Sequence, residues 1–451
     1  MKSSMSKNRT IFVCQVCGYE SSKWLGKCPE CGEWNTFVEE EIEIEKKSRK
    51  IVLVEKPIPK RISEISFYES SRIETGLKQF DAMMNGGVVK GQVILVAGEP
   101  GIGKSTLMLQ IAKNLSKLGK VLYVNSEESN EQIKIRSQRI GIKDENIFLF
   151  PEMNLEKIVD VILSDEYDFV IVDSIQNIYS EKFLSSAGSV TQVREVSSRI
   201  TEVAKYKDIT TFLVGHINKE GMIAGPKTIE HVVDTIVVID KDNKGNYRIL
   251  RTLKNRFGPT NTIAIYNLTS YGLEDVVDLS ISNTLNANLV GSVLCPVVEG
   301  FRSIVVEVQS LVNPTQFGFA KRTSDGIDVN RLYMISAILD KYLNTKLSMY
   351  DIYLNITTGF DVKETSTDLA IAFSILSSLR NKEVSRDIAV FGELGLGGEV
   401  RPVPWFDLRV LELKRIGVKK VIIPAGNKPS TENLELELYE VENVYDLLSY
   451  I

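Results

Sequence analysis

Apolar residues recur in short runs along the first half of the chain: "QVILVA" (92–97), "VLYVN" (121–125), "IFLF" (147–150), "DFVIVD" (168–173), "TTFLVG" (210–215) and "DTIVVID" (234–240). Helical patterns separate them, and that alternation predicts a parallel sheet with crossover helices, an α/β architecture. One helix is well punctuated, with Ser129 as cap, Gln132 three residues on and Gly141 after its last turn. "YRILRTLKNRFG" (247–258) and "NTIAIYNL" (261–268) then read as antiparallel strands. Past "SYGLEDVVDLS" (270–280) the pattern restarts with "SIVVEVQSLV" (303–312), "RLYMISAILDKYL" (331–343), "DIYLNIT" (351–357), "TDLAIAFSILSSL" (367–379), "IAVFGEL" (388–394), "LRVLELKRIG" (408–417) and "KKVIIP" (419–424). This predicts a second, separate α/β domain.

The N-terminal part follows neither pattern. Residues 11–37 form a cysteine module, and "EEEIEIEKKSRK" (39–50) is a charge run with little to bury, read as a linker. The expected division is a zinc-binding module at 1–38, a charged linker at 39–60, a nucleotide-binding domain at 61–275 and a further α/β domain at 276–451. A chain of 451 residues, 43% apolar and 25% charged, is an ordinary globular protein with a sizeable core. With 54 Lys and Arg against 59 Asp and Glu it does not coat nucleic acid with its whole surface, although a basic channel or loop stays open. No apolar run reaches the roughly 18 residues of a membrane span, and "MKSSMSKNRTIFVC" lacks the apolar core of a secretory signal. The expectation is a cytoplasmic protein without a membrane partner.

"GEPGIGKS" (98–105) fits G-x-x-x-x-G-K-[ST] between a strand and a helix. Such a loop turns its N–H groups around phosphates at a helix N-terminus, so Gly98, Glu99, Pro100, Gly101, Ile102, Gly103, Lys104, Ser105 and Thr106 are expected to bind ATP. Lys104 would reach the β and γ phosphates and Ser105 would bind Mg²⁺. Asp173, ending "DFVIVD", is the expected second Mg²⁺ residue. Glu127 in "YVNSEES" is the candidate for polarising the attacking water, with Glu128 as alternative and a solvated helix-capping turn as the plain reading. His216 could sense the γ phosphate or be a structural histidine. Lys254 and Arg256, two apart in a strand, would share one face and could complete the ATP site of a neighbouring subunit; the plain alternative is a solvated or DNA-facing basic strand. Cys14, Cys17, Cys28 and Cys31 are spaced C-x2-C-x10-C-x2-C with Gly18 and Gly32 closing the turns, which suits tetrahedral Zn²⁺ better than a redox pair. Cys295 is expected in a core. Single-stranded nucleic acid could meet 181–195 (Lys182, Phe183, Gln192, Arg194) or "NKEGMIAGPK" (218–227, with Lys219 and Lys227).

Together "KWLGKCPECGEWNTFVEE", "GEPGIGKSTLMLQ", "IVDSIQ", "GSVTQVRE", "GHINKEGMIAGPK", "LKNRFG" and "FGELGLGGEVRPV" resemble the bacterial RadA (Sms) DNA repair family over essentially the whole chain. The resemblance implies a RecA-like P-loop ATPase core, an N-terminal zinc ribbon and a C-terminal Lon-protease-like α/β domain. It further implies a hexameric ring that moves on single-stranded and branched DNA, drives branch migration and works with the RecA recombinase, with Lys254 and Arg256 coupling hydrolysis to DNA work. Asn125 and Ser126 depart from the family's usual Ser and Gly, which bears on where Glu127 sits. A Lon-like domain also raises a rival, an ATP-dependent protease or chaperone. Ser366 pairs with the Lon nucleophile position, but the base position falls on Arg409, which stays protonated, so a non-proteolytic scaffold with Ser366 as a helix-start serine is expected; the alternative is peptide cleavage through some other Lys, such as Lys363. A nucleotide-gated ATPase without DNA is the third class.

Overall fold

The computed structural model describes residues 7–44, 61, 72–143, 146–216, 227–242, 247–260, 262–276, 288–299, 302–316, 318–357, 362–428 and 435–451. The chain divides into two compact units, one of residues 1–241 with 246–275, the other of 242–245 with 276–451.

The first unit begins with a small sheet in which β1 (Lys7–Cys14) pairs antiparallel with β2 (Glu20–Ser21) and with β3 (Phe37–Ile44). Residues 39–44 are therefore strand and not the start of a linker. Their ladder runs unbroken from Cys14↔Phe37 to Lys7↔Ile44; backbone pairing with a long neighbour outweighs the poor strand preference of glutamate. The rest of the expected linker, 45–60, lies outside the described residues.

A nine-stranded sheet follows. Its strands are β4 (Val93–Gly98), β5 (Val121–Asn125), β6 (Ile147–Phe150), β7 (Phe169–Asp173), β8 (Thr210–His216), β9 (Thr235–Lys241), β10 (Tyr247–Asn255), β11 (Ile263–Thr269) and β12 (Gly272–Asp275). The order is β12-β11-β10-β9-β4-β8-β7-β5-β6. The strands from β9 to β6 are parallel, and β10 to β12 form an antiparallel extension. All six residues of β4 are buried, as a strand covered on both faces by helices requires. One face packs Leu107, Ile111, Tyr123 and Phe212; the other packs Leu95, Ile158, Val196 and Ile200.

Helices α1 (Lys104–Leu115), α2 (Asn130–Ile140), α3 (Leu155–Ser164) and α4 (Val190–Lys207) make the crossovers. Ser129, Asn154 and Ser189 cap α2, α3 and α4 with their side chains, and the Ser129–Gln132 capping box and left-handed Gly141 stand as the sequence predicts. Helix α1 has only Gly103 at its N-cap and no side-chain cap. Its first-turn N–H groups are thereby left for a ligand.

In the second unit, β13 (Ser292–Glu299), β14 (Arg302–Pro314), β15 (Arg322–Asp325), β16 (Tyr350–Ile356), β17 (Ile388–Val390), β18 (Lys420–Pro424) and β19 (Glu437–Val441) form a mixed sheet ordered β15-β16-β14-β13-β17-β18-β19. Helices α5 (Val329–Leu343), α6 (Asp368–Arg380) and α7 (Phe406–Arg415) accompany it. Cys295 is fully buried in β13. Among the described residues no helix is long and apolar enough to cross a membrane.

Candidate active site

Parallel register brings the site together. Gly98 ends β4 beside His216, which ends β8, and Asn125 ends β5 beside Asp173, which ends β7. In open α/β sheets ligands bind at these carboxyl ends. The cleft there is lined by Pro100, Gly101, Gly103, Lys104, Ser105, Thr106, Asn125, Glu127, Glu128, Ile133, Arg136, Asp173 and His216. Gly98 is required by crowding, since a Cβ would meet Ile239 O at 2.8 Å and Ile102 Cγ2 at 3.0 Å. Gly103 has φ 115°, open to glycine with little strain.

Lys104 is almost wholly buried. Its Nζ donates to Gly98 O (2.8 Å) and Glu99 O (2.9 Å) and lies 3.1 Å from His216 Nδ1. Burial lowers its pKa against the opposing pull of Asp173 and Glu127. His216 is also pushed down, by burial first and then by the Lys104 charge, so its neutral form is favoured, with Nδ1 as acceptor and Nε2 directed at Glu127 Oε2, 3.6 Å away. His216 is thus a neighbour of both Lys104 and Glu127.

Asp173 accepts from the buried Tyr123 hydroxyl at 2.7 Å. The two adjacent glutamates have different surroundings. Glu128 is paired with Arg136 at 2.5 Å, whereas Glu127 stays half exposed beside His216. Asn125 and Ser126 anchor the turn between them. Asn125 Nδ2 donates to Glu128 O (2.9 Å) and Asn130 Oδ1 (3.0 Å), and Ser126 Oγ donates to Ser174 O (2.7 Å). Sequence reasoning missed Tyr123, Arg136 and the bracing role of Asn125; their partners are distant in the chain or set by side-chain direction, and only the unusual Asn125-Ser126 pair flagged the turn.

Lys254 and Arg256 lie elsewhere. Lys254 is in β10, but Arg256 falls just beyond it, and the register of β10 on β9 shifts opposite Leu253, so simple alternation does not place the pair. They converge nonetheless: Lys254 Nζ donates to Val233 O (2.7 Å) and to Glu230 O, and Arg256 Nη1 is 3.3 Å from Asp234 Oδ1. Asp234, 3% exposed, also takes Lys205 and accepts from Val93 N–H at 3.0 Å. Val93 opens β4 and Gly98 closes it. The pair therefore sits at the opposite end of the strand from its own phosphate loop, about 17 Å away at strand rise. Burial and the neighbouring Arg256 lower the pKa of Lys254.

Of the candidate DNA contacts in 181–195, Phe183 and Gln192 are buried, while Lys182 and Arg194 are partly exposed and paired at the surface. Phe183 is buried; Gln192 Nε2 donates to Ser180 O, Phe183 O and Ser185 O; Lys182 pairs with Glu195 at 3.1 Å; Arg194 donates to Gly18 O and lies 3.6 Å from Glu20. Neither Phe183 nor Gln192 offers a free surface, because the loop needed them to close on itself. The segment 217–226 with Lys219, and the side chain of Lys227, lie outside the described residues.

The four cysteine sulfurs lie within 4.8 Å of one another. Cys14 and Cys31 are 3.7 Å apart, Cys17 and Cys28 3.4 Å; tetrahedral Zn–S bonds of about 2.3 Å need edges of about 3.8 Å. Gly18 and Gly32 are left-handed and their N–H groups donate to Cys14 O and Cys28 O. Donor set and spacing fit Zn²⁺. Wild-type protein is expected to carry one zinc per chain and Cys28→Ser far less, measured by elemental analysis, since each thiolate is a quarter of the coordination.

In the second unit Arg409 is 0% exposed. It donates through Nε to Pro404 O (3.1 Å), through Nη1 to Pro296 O (2.5 Å), Glu364 Oε1 (3.0 Å) and Ser366 Oγ (3.1 Å), and through Nη2 to Glu364 Oε2 (2.6 Å). Ser366 lies in a 3-10 turn before α6 and does not cap the helix. Its hydroxyl is a partner of the guanidinium, a correction to its expected role.

An uncapped helix after a glycine loop, a strand-end Asp173 with Glu127 in the turn after the neighbouring strand, and a four-thiol ribbon define a P-loop nucleotide-binding protein with a metal ribbon and a separate mixed-sheet unit. Comparison with known proteins agrees: residues 12–39 match a rubredoxin metal binding domain, 59–222 an AAA domain and 330–449 a Lon protease (S16) C-terminal proteolytic domain. The chain is 45% identical to the DNA repair protein RadA of Aquifex aeolicus over 99% of this chain and 100% of that one. It is 42% identical to RadA of Bacillus subtilis (98% and 99%) and 41% to that of Campylobacter jejuni (99% and 100%). The chain belongs to the RadA family of DNA repair proteins.

Proposed function

We propose that this ATPase is a DNA-dependent motor that acts on single-stranded and branched DNA in the cytoplasm and promotes branch migration during recombinational repair. It works as a homo-oligomeric ring, hexameric by family resemblance, with the RecA recombinase as partner. Residues 98–106 hold the nucleotide. Lys104 neutralises charge on the β and γ phosphates, which requires it to leave the carbonyls of Gly98 and Glu99. Ser105 and Asp173 would hold Mg²⁺, which supplies charge neutralisation between the phosphates. Glu127 takes a proton from water as its oxygen bonds to the γ phosphorus and the bond to the bridging oxygen breaks. Lys254 and Arg256 complete the pocket of the adjacent subunit.

The position of Lys254 and Arg256 carries this reading. They are hydrogen-bonded and ion-paired at the strand end farthest from their own ATP site, so any service to hydrolysis must be to another copy. In the Lon-type unit, Arg409 cannot accept the Ser366 proton, because a guanidinium stays charged and has no free lone pair, and here it acts as a donor to Ser366 Oγ. We therefore read that unit as a non-proteolytic scaffold. The test is ATP turnover with and without single-stranded DNA, together with casein incubation. Stimulation by DNA with casein intact is expected. Casein digestion abolished by Ser366→Ala would favour the protease reading, and an ATPase indifferent to DNA would sink the motor.

A further inference from the structure

We propose that Arg248 is a positioning residue for the phosphate loop: it binds the Ile102 carbonyl from behind and so turns the Gly103 N–H toward the phosphates. Arg248 Nε donates to Ile102 O at 2.9 Å, across 146 positions of sequence. Its Nη1 donates to Tyr247 O at 3.1 Å, which pins the guanidinium to its own strand. In a planar trans peptide the C=O and N–H point in opposite directions, so whatever fixes Ile102 O also fixes Gly103 N–H.

That peptide needs fixing. Gly103, at φ 115°, has wide backbone freedom, and the turn is where the N–H groups must converge. Gly103 lines the cleft, while the Ile102 side chain is buried. A second tie reaches the loop from the neighbouring strand, where Lys241 Nζ lies 3.6 Å from Glu99 Oε2. Strand β10, through Arg248, and its neighbour β9, through an exposed ion pair, thus brace a loop whose donors face the other way. A donor already aimed at the anion needs no reorganisation when the anion arrives. Arg248 acts through the backbone and does not itself touch the nucleotide, so its effect falls on phosphate binding in general and not on recognition of the base.

This rests on 98–106 being the phosphate loop. The experiment is equilibrium binding of ATP, CTP and inorganic pyrophosphate, each with Mg²⁺, to the full chain as wild type, Arg248→Met and Arg248→Lys. Met keeps the aliphatic stem and removes the donors; Lys keeps a donor. Arg248→Met is expected to weaken all three ligands by a similar factor, on the order of tenfold for one charged hydrogen bond. Arg248→Lys should recover most of it. In turnover the Met variant should raise KM for ATP more than it lowers kcat. Pyrophosphate bound by Arg248→Met as tightly as by wild type overturns the assignment, whether ATP affinity is unchanged or is lost alone, the latter making Arg248 a base contact. A wild type that binds none of the three sinks the phosphate-loop reading itself.

Discussion

Alanine at Lys254 or Arg256 is expected to leave ATP binding by the isolated subunit unchanged and to remove most DNA-stimulated hydrolysis by the assembly. A cation supplied in trans to a transferring phosphoryl group is worth about 10³- to 10⁵-fold in rate. The two side chains here meet carbonyls of Glu230 and Val233 and the carboxylate of Asp234, at the strand end remote from Lys104. Each substitution also leaves part of that anchoring unmet. Asp234 keeps Lys205 and the Val93 N–H, so a melting temperature near that of wild type should accompany the kinetic loss. Nucleotide titration of the monomer, with turnover of the DNA-bound assembly, separates the possibilities. Loss of ATP binding by a monomeric Lys254→Ala would contradict the trans role. So would full-rate turnover by wild-type subunits kept apart.

Glu127→Gln is expected to lower turnover by about 100- to 10,000-fold, the usual contribution of a positioned general base. ATP affinity should be retained, because the amide is isosteric and the phosphates are held by the loop. Glu128→Gln should change turnover little. Its carboxylate is occupied by Arg136 at 2.5 Å, and a partly exposed ion pair of this kind contributes about 0–1 kcal/mol. Single-turnover hydrolysis of bound ATP by the two variants is the measurement. Equal losses in both, or the larger loss at Glu128, would reverse the assignment. Glu127 beside His216, with the turn braced by Asn125 and Ser126, is the geometry behind the expectation.

Much of this protein was legible in its residues, for local reasons. A glycine loop between an apolar strand and a helix can do little but surround an anion, and two C-x2-C knuckles already hold most of the information for a metal tetrahedron. Ser129, Gln132 and Gly141 marked a helix because capping involves neighbours in the chain. The strands from "QVILVA" to "DTIVVID" appeared where their apolar runs stood. The charge run at 39–44 misled, since its strand depends on β1, a partner that composition does not reveal.

What tertiary structure alone decided is which distant groups meet. Parallel register set His216 against Gly98 and Asn125 against Asp173; a helix placed after the turn drew Glu128 to Arg136 and left Glu127 to the cleft. Beyond the shift in register opposite Leu253, Lys254 meets the Glu230 and Val233 carbonyls and Arg256 meets Asp234, and the antiparallel extension laid Arg248 behind Ile102. Short-range chemistry is written in spacing along the chain. Strand order and register are settled by the packing of whole sheets, and so the pairings that tune the site became visible only in three dimensions.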